Sequence, residues 1–464
     1  MFKRLSLFLL FILILSFTVQ PVSAQASGPV YIVQSGDTLS GIAVRFNVSI
    51  NDLIAANPSL DPNFLSEGQQ IVIPGLEGVT GVLETEVISF GDTLRSLSRR
   101  TQVSDELLQK LNHLVSPTEL YVGISLIIPT QEQQEPLKTR MTAAPGESLL
   151  ELAVKQSSDP WTLASVNKLS GTWAALPGDI LYSPTGSSEE NATGLPSAFL
   201  SASIEPLPLV QGSTEVIRAR VQEGASPSGT LIDMPLHFFQ GNGEQVALQG
   251  VHALLEPGVY PLLLEATLTD GSKQSFEQMI LVTSGNYSSE DIPLNDPSFI
   301  DPAITEPEIK NIISLTTPAS PTRYWTNMLT SPATDPDCFT SRYGTRRTYK
   351  VINTDAETPG FHTGLDFCGG EGLQIFAPAP GRVVFAAPLT VRGNATIIDH
   401  GWGIYSGFWH QSQILVKVGD LVEQGQVIGV VGGTGRVTGA HLHWEVWVNG
   451  IQVNPLDWLN QAYP

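Results

Sequence analysis

The first third of the chain repeats one pattern of apolar and polar positions. Residues 30–33 and 70–73 alternate as short strands do, and two apolar sets at helical spacing lie between them: Leu39, Ile42, Ala43 and Phe46, then Ile50, Leu53 and Ile54. Residues three or four apart share a helix face, and residues two apart share a strand face. The pattern therefore predicts a strand–helix–helix–strand unit, with Asp37 or Thr38 able to cap its first helix.

Marker residues show that this unit recurs with a period of 55 residues. The period separates successive glycines before the first helix, asparagines after the second and prolines after the last strand: Gly36, Gly91 and Gly146; Asn57, Asn112 and Asn167; Pro74, Pro129 and Pro184. A fixed period indicates repeated domains. We expect three units, over residues 30–74, 85–129 and 139–184, the third with Gly-Glu-Ser-Leu where the others have Gly-Asp-Thr-Leu.

The middle of the chain changes to a period of two. Residues 201–284 alternate as half-buried strands do, and Asp270-Gly271 marks a hairpin turn. We expect a small antiparallel β-sandwich of immunoglobulin-like type that acts as a spacer. Polar residues 185–200 and residues 286–322, rich in Pro, Asp, Ser and Thr, are expected to be linkers. The predicted chain is therefore multidomain, α+β followed by all-β, and residues 323–464 carry the candidate chemistry.

The first residues have the composition of a secretory signal. Lys3 and Arg4 precede a nearly unbroken apolar run, and small residues follow it, so we expect a signal peptide over residues 1–26, cut after Ala24 or Ala26. A membrane anchor is the alternative, but the apolar run is short for a membrane span. We therefore expect a secreted protein without a membrane segment. Separately, we expect it to be a monomer. Its formal net charge of −21 argues against binding to nucleic acid or anionic lipid.

The candidate chemistry is a cluster of histidines. Five of the chain's eight histidines lie between residues 362 and 443, and four of them form His362-Thr-Gly-Leu-Asp366, Trp409-His410 and His441-Leu-His443. Imidazole and carboxylate are ligands of catalytic zinc. On a strand His441 and His443 would lie roughly 7 Å apart on one face, so one can bind the ion while the other stands over an open position. His362 and Asp366 would be about 13 Å apart on a straight strand, so they share an ion only if the chain bends, as Gly364 permits.

The repeats resemble LysM modules through Ser35-Gly36-Asp37-Thr38-Leu39 and its two counterparts. That resemblance implies binding of N-acetylglucosamine-containing glycans such as peptidoglycan. It places the glycan groove near Gly36, Asp37, Thr38 and Asn57. The alternative is that these four residues only cap and turn the chain.

Residues 340–458 resemble the lysostaphin-type zinc endopeptidases of the cell wall, the peptidoglycan DD- and glycyl-endopeptidases of the duplicated hybrid motif fold. The resemblance rests on the histidine motifs and on Ser341-Arg-Tyr-Gly-Thr-Arg346 and Gly439-Ala-His-Leu-His443. It implies a mostly antiparallel β domain in which His362, Asp366 and His443 bind Zn²⁺. His441 and His410 would be the catalytic pair, and either can be the base. The family's Tyr-x-His-Leu is replaced here by Phe408-Trp409-His410-Gln411, which bears on substrate preference rather than on metal binding.

Other residues near these motifs have open roles. Two cysteines in an exported protein suggest a disulfide between Cys338 and Cys368; free thiols, or Cys368 as a metal ligand, are the alternatives. Glu445 and Asp399 are either partners that fix a histidine tautomer or surface carboxylates. We expect His400 to be a turn residue, and three further histidines to be structural: His113, His237 and His252.

These features together favour an exported peptidoglycan hydrolase that cleaves stem or cross-bridge peptide bonds. A non-enzymatic regulator of other wall hydrolases and a wall-binding adhesion protein are the alternatives. All five metal-binding and catalytic residues are present, which favours catalysis.

Overall fold

The computed structural model describes residues 28–62, 64–76, 78–116, 119–130, 137, 139–143, 146–185 and 195–464. The expected signal peptide lies outside these residues, so its cleavage stays a prediction. No helix in the described ranges has the length and apolar content that a bilayer crossing requires. The chain forms two compact units. Of the described residues, the first comprises those from 28 to 86, Thr101–His113 and those from 125 to 130, and the second comprises Val87–Arg100, those from 114 to 124 and those from 137 to 464.

The first unit contains the predicted strand–helix–helix–strand order. Its elements are β1 (Val30–Ile32), α1 (Leu39–Arg45), α2 (Ile50–Ala56), β2 (Gln70–Val72), β3 (Val82–Val87), α4 (Asp105–Asn112) and β5 (Ser125–Thr130). Helices α1 and α2 begin where Thr38 and Ser49 accept hydrogen bonds from the backbone of Gly41 and Asp52. The strands form one sheet in the order β2-β1-β3-β5, with β1 parallel to β3.

The third repeat has the same element order within the second unit. It comprises β6 (Thr139–Thr142), α5 (Leu149–Lys155), α6 (Pro160–Val166) and β7 (Ile180–Ser183), with β6 antiparallel to β7. The second repeat, expected as one module over residues 85–129, also has the predicted element order. Its first helix, α3 (Leu94–Thr101), lies in the second unit except for its last residue, whereas α4 lies in the first.

The repeated asparagine ties the second helix of each repeat to its last strand. Asn57 donates to the carbonyls of Leu53 and Val72 and accepts from the Val72 N–H, each at 2.8 Å. The same three bonds recur at Asn112, with Leu108 and Ile127, and at Asn167, with Leu163 and Tyr182. This shared bonding explains why the asparagine keeps the 55-residue spacing, because it satisfies backbone groups that helix and strand leave unpaired.

Residues 199–283 form two sheets around one core. The strands are β8 (Phe199–Glu205), β9 (Leu209–Val210), β10 (Thr214–Val221), β11 (Ser226–Leu231), β12 (Met234–Pro235), β13 (Phe239–Gln240), β14 (Gln245–Gly250), β15 (Gly258–Thr267) and β16 (Lys273–Thr283). One sheet has the order β13-β14-β10-β8 and the other β12-β11-β15-β16, with β4 (Tyr121–Val122) and β9 added to β16. Side chains from both sheets, such as Ile217 and Leu262, share a buried cluster. The two-sheet prediction is confirmed, and the immunoglobulin-like type stays a prediction.

Part of this sandwich is buried against the following domain. Val216, Val246 and Leu248 belong to the same buried cluster as Trp444 and Trp458. The Asn449 side chain donates to the Leu248 carbonyl at 2.7 Å, and Trp458 Nε1 donates to Thr214 Oγ1 at 3.1 Å. One face of the sandwich therefore packs on the following domain, and its role as a spacer stays a prediction.

The expected linker over residues 286–322 is largely regular structure. It contains β17 (Ser289–Leu294), a 3₁₀ helix (Pro297–Ile300) and α7 (Pro302–Thr316). Strand β17 pairs in parallel with β19 (Arg346–Val351), and α7 buries Glu308 and Ile312. The linker prediction fails because Pro302 follows the N-cap Asp301, a position where proline favours a helix start.

The last domain is mostly antiparallel β, as predicted. Besides β19 it contains β18 (Phe339–Ser341), β20 (Glu357–Phe361), β21 (Leu365–Phe367), β22 (Gln374–Phe376), β23 (Gly381–Leu389), β24 (Gly393–Gly401), β25 (Ile404–Gln411), β26 (Gln413–Ile414), β27 (Leu421–Val422), β28 (Val427–Val430), β29 (Leu442–Val448), β30 (Ile451–Val453) and α8 (Pro455–Asn460). The main sheet has the order β18-β21-β29-β25-β24-β23-β27, with β30 on β29. Two smaller sheets have the orders β17-β19-β20 and β22-β28-β26.

Candidate metal centre

Two histidines and an aspartate converge where β21 meets β29. The antiparallel register places Asp366 opposite His443, and His362 lies just before β21. Asp366 Oδ1 is 2.7 Å from His443 Nδ1 and 3.0 Å from His362 Nε2, and those two nitrogens are 3.1 Å apart. All three residues are buried. Two nitrogens and one oxygen directed at a common point are a donor set that fits Zn²⁺ and leaves a coordination position open.

A bend after β20 lets His362 and Asp366 share this point. Residues 362–364 belong to no strand, so the separation expected for a straight strand does not apply. At Gly364 a Cβ atom would lie 2.2 Å from the Trp444 carbonyl oxygen and 3.0 Å from His443 Nε2. Glycine is required here because the backbone of β29 approaches closely, so the bend predicted at Gly364 has a steric cause.

Hydrogen bonds on the far side of each ring set which nitrogen faces the cluster. His362 Nδ1 donates to the Arg342 carbonyl at 2.9 Å, which leaves Nε2 as a lone-pair donor. His443 Nε2 donates to Glu445 Oε1 at 3.2 Å, which leaves Nδ1. Glu445 is itself fixed, since its other oxygen accepts from Trp447 Nε1 at 2.8 Å. Glu445 is thus the tautomer-fixing partner that metal-binding histidines commonly have.

Charge interactions within the cluster favour an ionised carboxylate. Burial alone would raise the pKa of Asp366, but His443, His362 and His441 outweigh the burial and hold that pKa well below its ordinary value. Burial likewise opposes the ionisation of Glu445, yet contacts with His443 and the nearby Arg392 lower the pKa of Glu445 to about 2. Two ionised carboxylates in a buried site favour a bound cation.

The two remaining predicted histidines stand beside the cluster. The ring of His410 is 5.2 Å from that of His441 and 6.0 Å from that of His443, measured between centroids. His441 Nε2 is 3.3 Å from Asp366 Oδ1, and its Nδ1 donates to the Gly439 carbonyl at 2.9 Å. His410 Nδ1 donates to the Thr434 carbonyl at 2.8 Å. Burial, followed by His443 and His441, lowers the pKa of His410 to about 3.

The structure also places the other residues that the sequence analysis named near the site. Cys338 and Cys368 form the expected disulfide, which joins the chain before β18 to the residues after β21. Asp399 accepts from Ser320 Oγ and the Gly401 N–H, so its described partners are not histidines of the cluster. His400 is buried inside β24 rather than in a turn, and burial lowers its pKa to about 4.

Comparison with known proteins agrees with this geometry. Residues 360–455 match the model of peptidase family M23, and residues 31–74 and 87–129 match the LysM domain model. The chain contains LysM and M23 peptidase domains. The LysM match covers the first two repeats. The third repeat shares with them the element order and the three asparagine hydrogen bonds, and these support its assignment as a related module.

Curated relatives that match part of the chain include two bacterial wall proteins. Peptidoglycan DD-endopeptidase ShyC of Vibrio cholerae is 44% identical over 94 residues, which are 20% of this chain and 22% of ShyC. Murein hydrolase activator NlpD of Escherichia coli is 39% identical over 113 residues, 24% of this chain and 30% of NlpD. A solved structure of a putative peptidase M23 from Pseudomonas aeruginosa is 27% identical, with a TM-score of 0.41, and covers 56% of this chain and 96% of that one. The matches thus span less than a third of either curated relative.

In the first LysM domain, the four predicted glycan contacts each have a structural task. Gly36 has a φ of +84°, which favours glycine in the turn before α1. The carboxylate of Asp37 accepts from Tyr31 OH at 2.7 Å and from the Gln34 N–H at 2.8 Å. Thr38 caps α1, and Asn57 bonds the last strand. This geometry supports the alternative that these residues cap and turn the chain.

A cavity of about 570 Å³, which the sequence did not predict, opens beside His362, Asp366 and His443. Its walls include segments predicted as linker and spacer, among them Ile309 of α7 and His252 of the sandwich. Three arginines also line it: Arg347, Arg392 and Arg436. Arg436 lies in the loop Gly433–Ala440, just before the motif His441-Leu-His443. This nearness in sequence was the one signal that could have indicated Arg436 as a residue of the site.

Proposed function

We propose that the protein is an exported, zinc-dependent peptidoglycan endopeptidase that its LysM domains hold at the cell wall. The observation that carries this proposal is the convergence of His362 Nε2, Asp366 Oδ1 and His443 Nδ1 with two further imidazoles beside them. A bound Zn²⁺ would lower the pKa of a water molecule and polarise the scissile carbonyl.

The residues of the chain then divide the work. His441 accepts the proton of the attacking water at Nε2, because Asp366 Oδ1 at 3.3 Å stabilises the resulting imidazolium. With its pKa lowered to about 3, His410 stays neutral, and its bond to Thr434 O keeps the ring directed at the reacting atoms. Glu445 keeps His443 in the tautomer that binds metal.

Place and partner follow from the remaining features. The signal-like first residues and the disulfide favour an oxidising compartment outside the cytoplasmic membrane. The LysM domains favour binding to peptidoglycan glycan, with the third repeat as a further binding module. Several weak sites on one chain would retain the protein on insoluble wall by avidity. We expect the secreted protein to act as a monomer.

Metal content and hydrolysis of purified peptidoglycan by the full chain test the proposal. We expect about one zinc per chain and hydrolysis that a chelator abolishes. His362→Ala and Asp366→Ala should lose most of the metal, because three protein ligands are typical of such a site. His441→Ala should keep zinc but hydrolyse at least roughly 100-fold more slowly. His113→Ala, in the first unit, is the matched control and should change neither property. Full zinc in both ligand variants would contradict the assignment.

The similarity to a murein hydrolase activator supports a second candidate function. In that case the protein would bind the wall and stimulate another hydrolase without cleaving peptides itself. The complete set of five metal-binding and catalytic residues disfavours it. Stimulation of a partner hydrolase by His441→Ala protein, together with no hydrolysis by the wild type, would favour this second function.

A further inference from the structure

The cavity beside the candidate metal centre is rich in positive charge. The guanidinium groups of Arg347, Arg392 and Arg436 line it, whereas the carboxylates that line it are Asp366 and Glu445. Both carboxylates are engaged with histidines of the metal cluster. Such a concentration of arginine is unexpected in a chain whose net charge is −21.

Two of the three arginines have carboxylate partners from the segment predicted as a linker. Arg347 Nε donates to Glu290 of β17 at 2.7 Å, and an Arg392 Nη atom lies 3.1 Å from Glu308 of α7. These pairs neutralise much of the charge on both guanidinium groups.

Arg436 has no such partner among the described residues. Its guanidinium donates to the Phe299 carbonyl at 3.1 Å and lies over the Tyr349 ring, with Cζ 4.2 Å from the centroid. Burial, and then the like charges of Arg392 and Arg347, lower the pKa of Arg436, although Tyr349 and the Glu308 carboxylate oppose the shift. Arg436 is half-buried, and a guanidinium has five N–H donors, so donors remain that an anion in the cavity could accept from.

Backbone hydrogen bonds link Arg436 to the loops that contact His410. Its backbone N–H donates to the Val391 carbonyl at 2.8 Å, next to Arg392, whose own carbonyl accepts from the His410 N–H at 2.9 Å. Thr434, two residues earlier, accepts from His410 Nδ1. The two loops that hold His410 therefore also present Arg392 and Arg436 to the cavity. An anion bound to these arginines would therefore lie in the same cavity that His410 and His441 line.

We propose, resting on the proposed function, that Arg436 with Arg392 beside it binds a free carboxylate of the substrate close to the scissile bond. A guanidinium matches a carboxylate in shape and charge and can bind it through two parallel hydrogen bonds. The favoured substrate class is therefore a stem peptide with an ionised side-chain or terminal carboxylate. An uncharged glycyl cross-bridge offers Arg436 no such group.

Matched peptides that differ in one group test this inference. Two synthetic stem peptides are used, one with a free carboxylate beside the scissile bond and one with the carboxamide in its place. Their dissociation constants are measured with zinc-loaded His441→Ala protein, so binding is observed without turnover. We expect the acid to bind at least about ten-fold more tightly than the amide, the usual scale of a charge-assisted hydrogen bond.

Variants of Arg436 in the same His441→Ala background locate the effect. Arg436→Gln should remove the preference for the acid while leaving affinity for the amide unchanged, and Arg436→Lys should restore part of it. Arg382→Gln, at an exposed arginine on β23, is the matched control and should keep the preference. Unchanged melting temperature and zinc content show that each variant is folded.

Two results with the His441→Ala protein that keeps Arg436 would overturn the inference: equal affinity for the acid and the amide, or no binding of either peptide. So would equal losses for both peptides in Arg436→Gln, which would make Arg436 a structural residue. Failure of the proposed function is seen separately, as absence of hydrolysis by the His441 wild type despite an intact preference for binding the acid.

Discussion

At the scale of single residues, the site depends on which atom of each side chain is already engaged. Arg342 and Glu445 each occupy one nitrogen of a histidine, so the other nitrogen faces Asp366. Glu445 has the stronger constraint, because His443, Trp447 and Thr363 all bond to its carboxylate. Its negative charge therefore both orients His443 and favours a cation in the cluster.

Glu445→Gln should weaken zinc binding without unfolding the domain. Glutamine keeps the volume and one oxygen acceptor but removes the charge, and loss of such a partner commonly lowers metal affinity by roughly 10- to 100-fold. Competition with a chromophoric chelator measures the zinc dissociation constant. Asp399→Asn, at a buried carboxylate bonded to Ser320 and Gly401, is the control and should leave zinc affinity unchanged. Equal affinities in Glu445→Gln and wild type would refute this role.

The sequence predicted the motifs of the site but not the carboxylate that assists them, and the difference has a physical reason. Ligand chemistry drew attention to the short histidine and aspartate motifs, whereas the choice of His443 over His441 came from the family resemblance. Whether Glu445 or Asp399 assists them could not be predicted, because the answer depends on which strands pair. In the antiparallel register Asp366 is opposite His443, and Glu445 lies two residues farther along the same strand face.

At the scale of elements, helix α7, which lies in the segment expected to be a linker, contacts the 391–392 loop beside the candidate site. Glu308 is buried and accepts from the N–H groups of Val391 and Arg392 at 2.8 and 3.1 Å, besides pairing with the Arg392 side chain. The Arg392 carbonyl in turn accepts from the His410 N–H. Helix α7 thus fixes the 391–392 loop, whose Arg392 carbonyl holds the backbone of His410 in β25.

Glu308→Ala should slow hydrolysis while zinc stays bound. Loss of three bonds to the 391–392 loop would displace His410, and a displacement of about 1 Å can cost roughly 100-fold in rate. The rate constant on peptidoglycan fragments and the zinc content of the same sample measure both effects. Glu306→Ala, at an exposed position on the same helix, is the matched control and should behave as wild type. A Glu308→Ala enzyme of normal rate would show that α7 does not position the loop.

Element prediction succeeded where local pattern decides and failed where distant contacts decide. The repeats were predictable because apolar spacing and N-cap residues are local signals. Strand β17 was not, because its residues Ser289–Leu294 include a proline and charges, and its partner β19 is more than 50 residues away.

At the scale of the whole molecule, the sandwich and the M23 domain share a buried boundary that carries an acidic group. Glu215 of β10 is fully buried, and Ser213 Oγ donates to its Oε1. Its Oε2 lacks a hydrogen-bond partner among the described residues, and Asp457 of α8 adds a negative charge nearby. The boundary is therefore sensitive to the protonation of Glu215.

Burial first, and then Asp457, raises the pKa of Glu215 from an ordinary 4.5 to about 8, although the Ser213 bond opposes the rise. The folded protein keeps this proton up to pH 8, whereas the unfolded chain releases it above pH 4.5. Stability from the protonated form is therefore complete below pH 4.5 and is lost as pH rises towards 8.

Glu215→Gln should remove this pH dependence, because the amide stays neutral in both states. Relative to wild type, the variant should gain about 3 kcal/mol of unfolding free energy between pH 4.5 and pH 7. Urea unfolding of both proteins across that range measures the difference. Asp457, whose pKa burial raises to about 6, titrates in both proteins, so its contribution largely cancels in the comparison. A stability difference that stays constant with pH would mean that Glu215 ionises normally and that the boundary tolerates its charge.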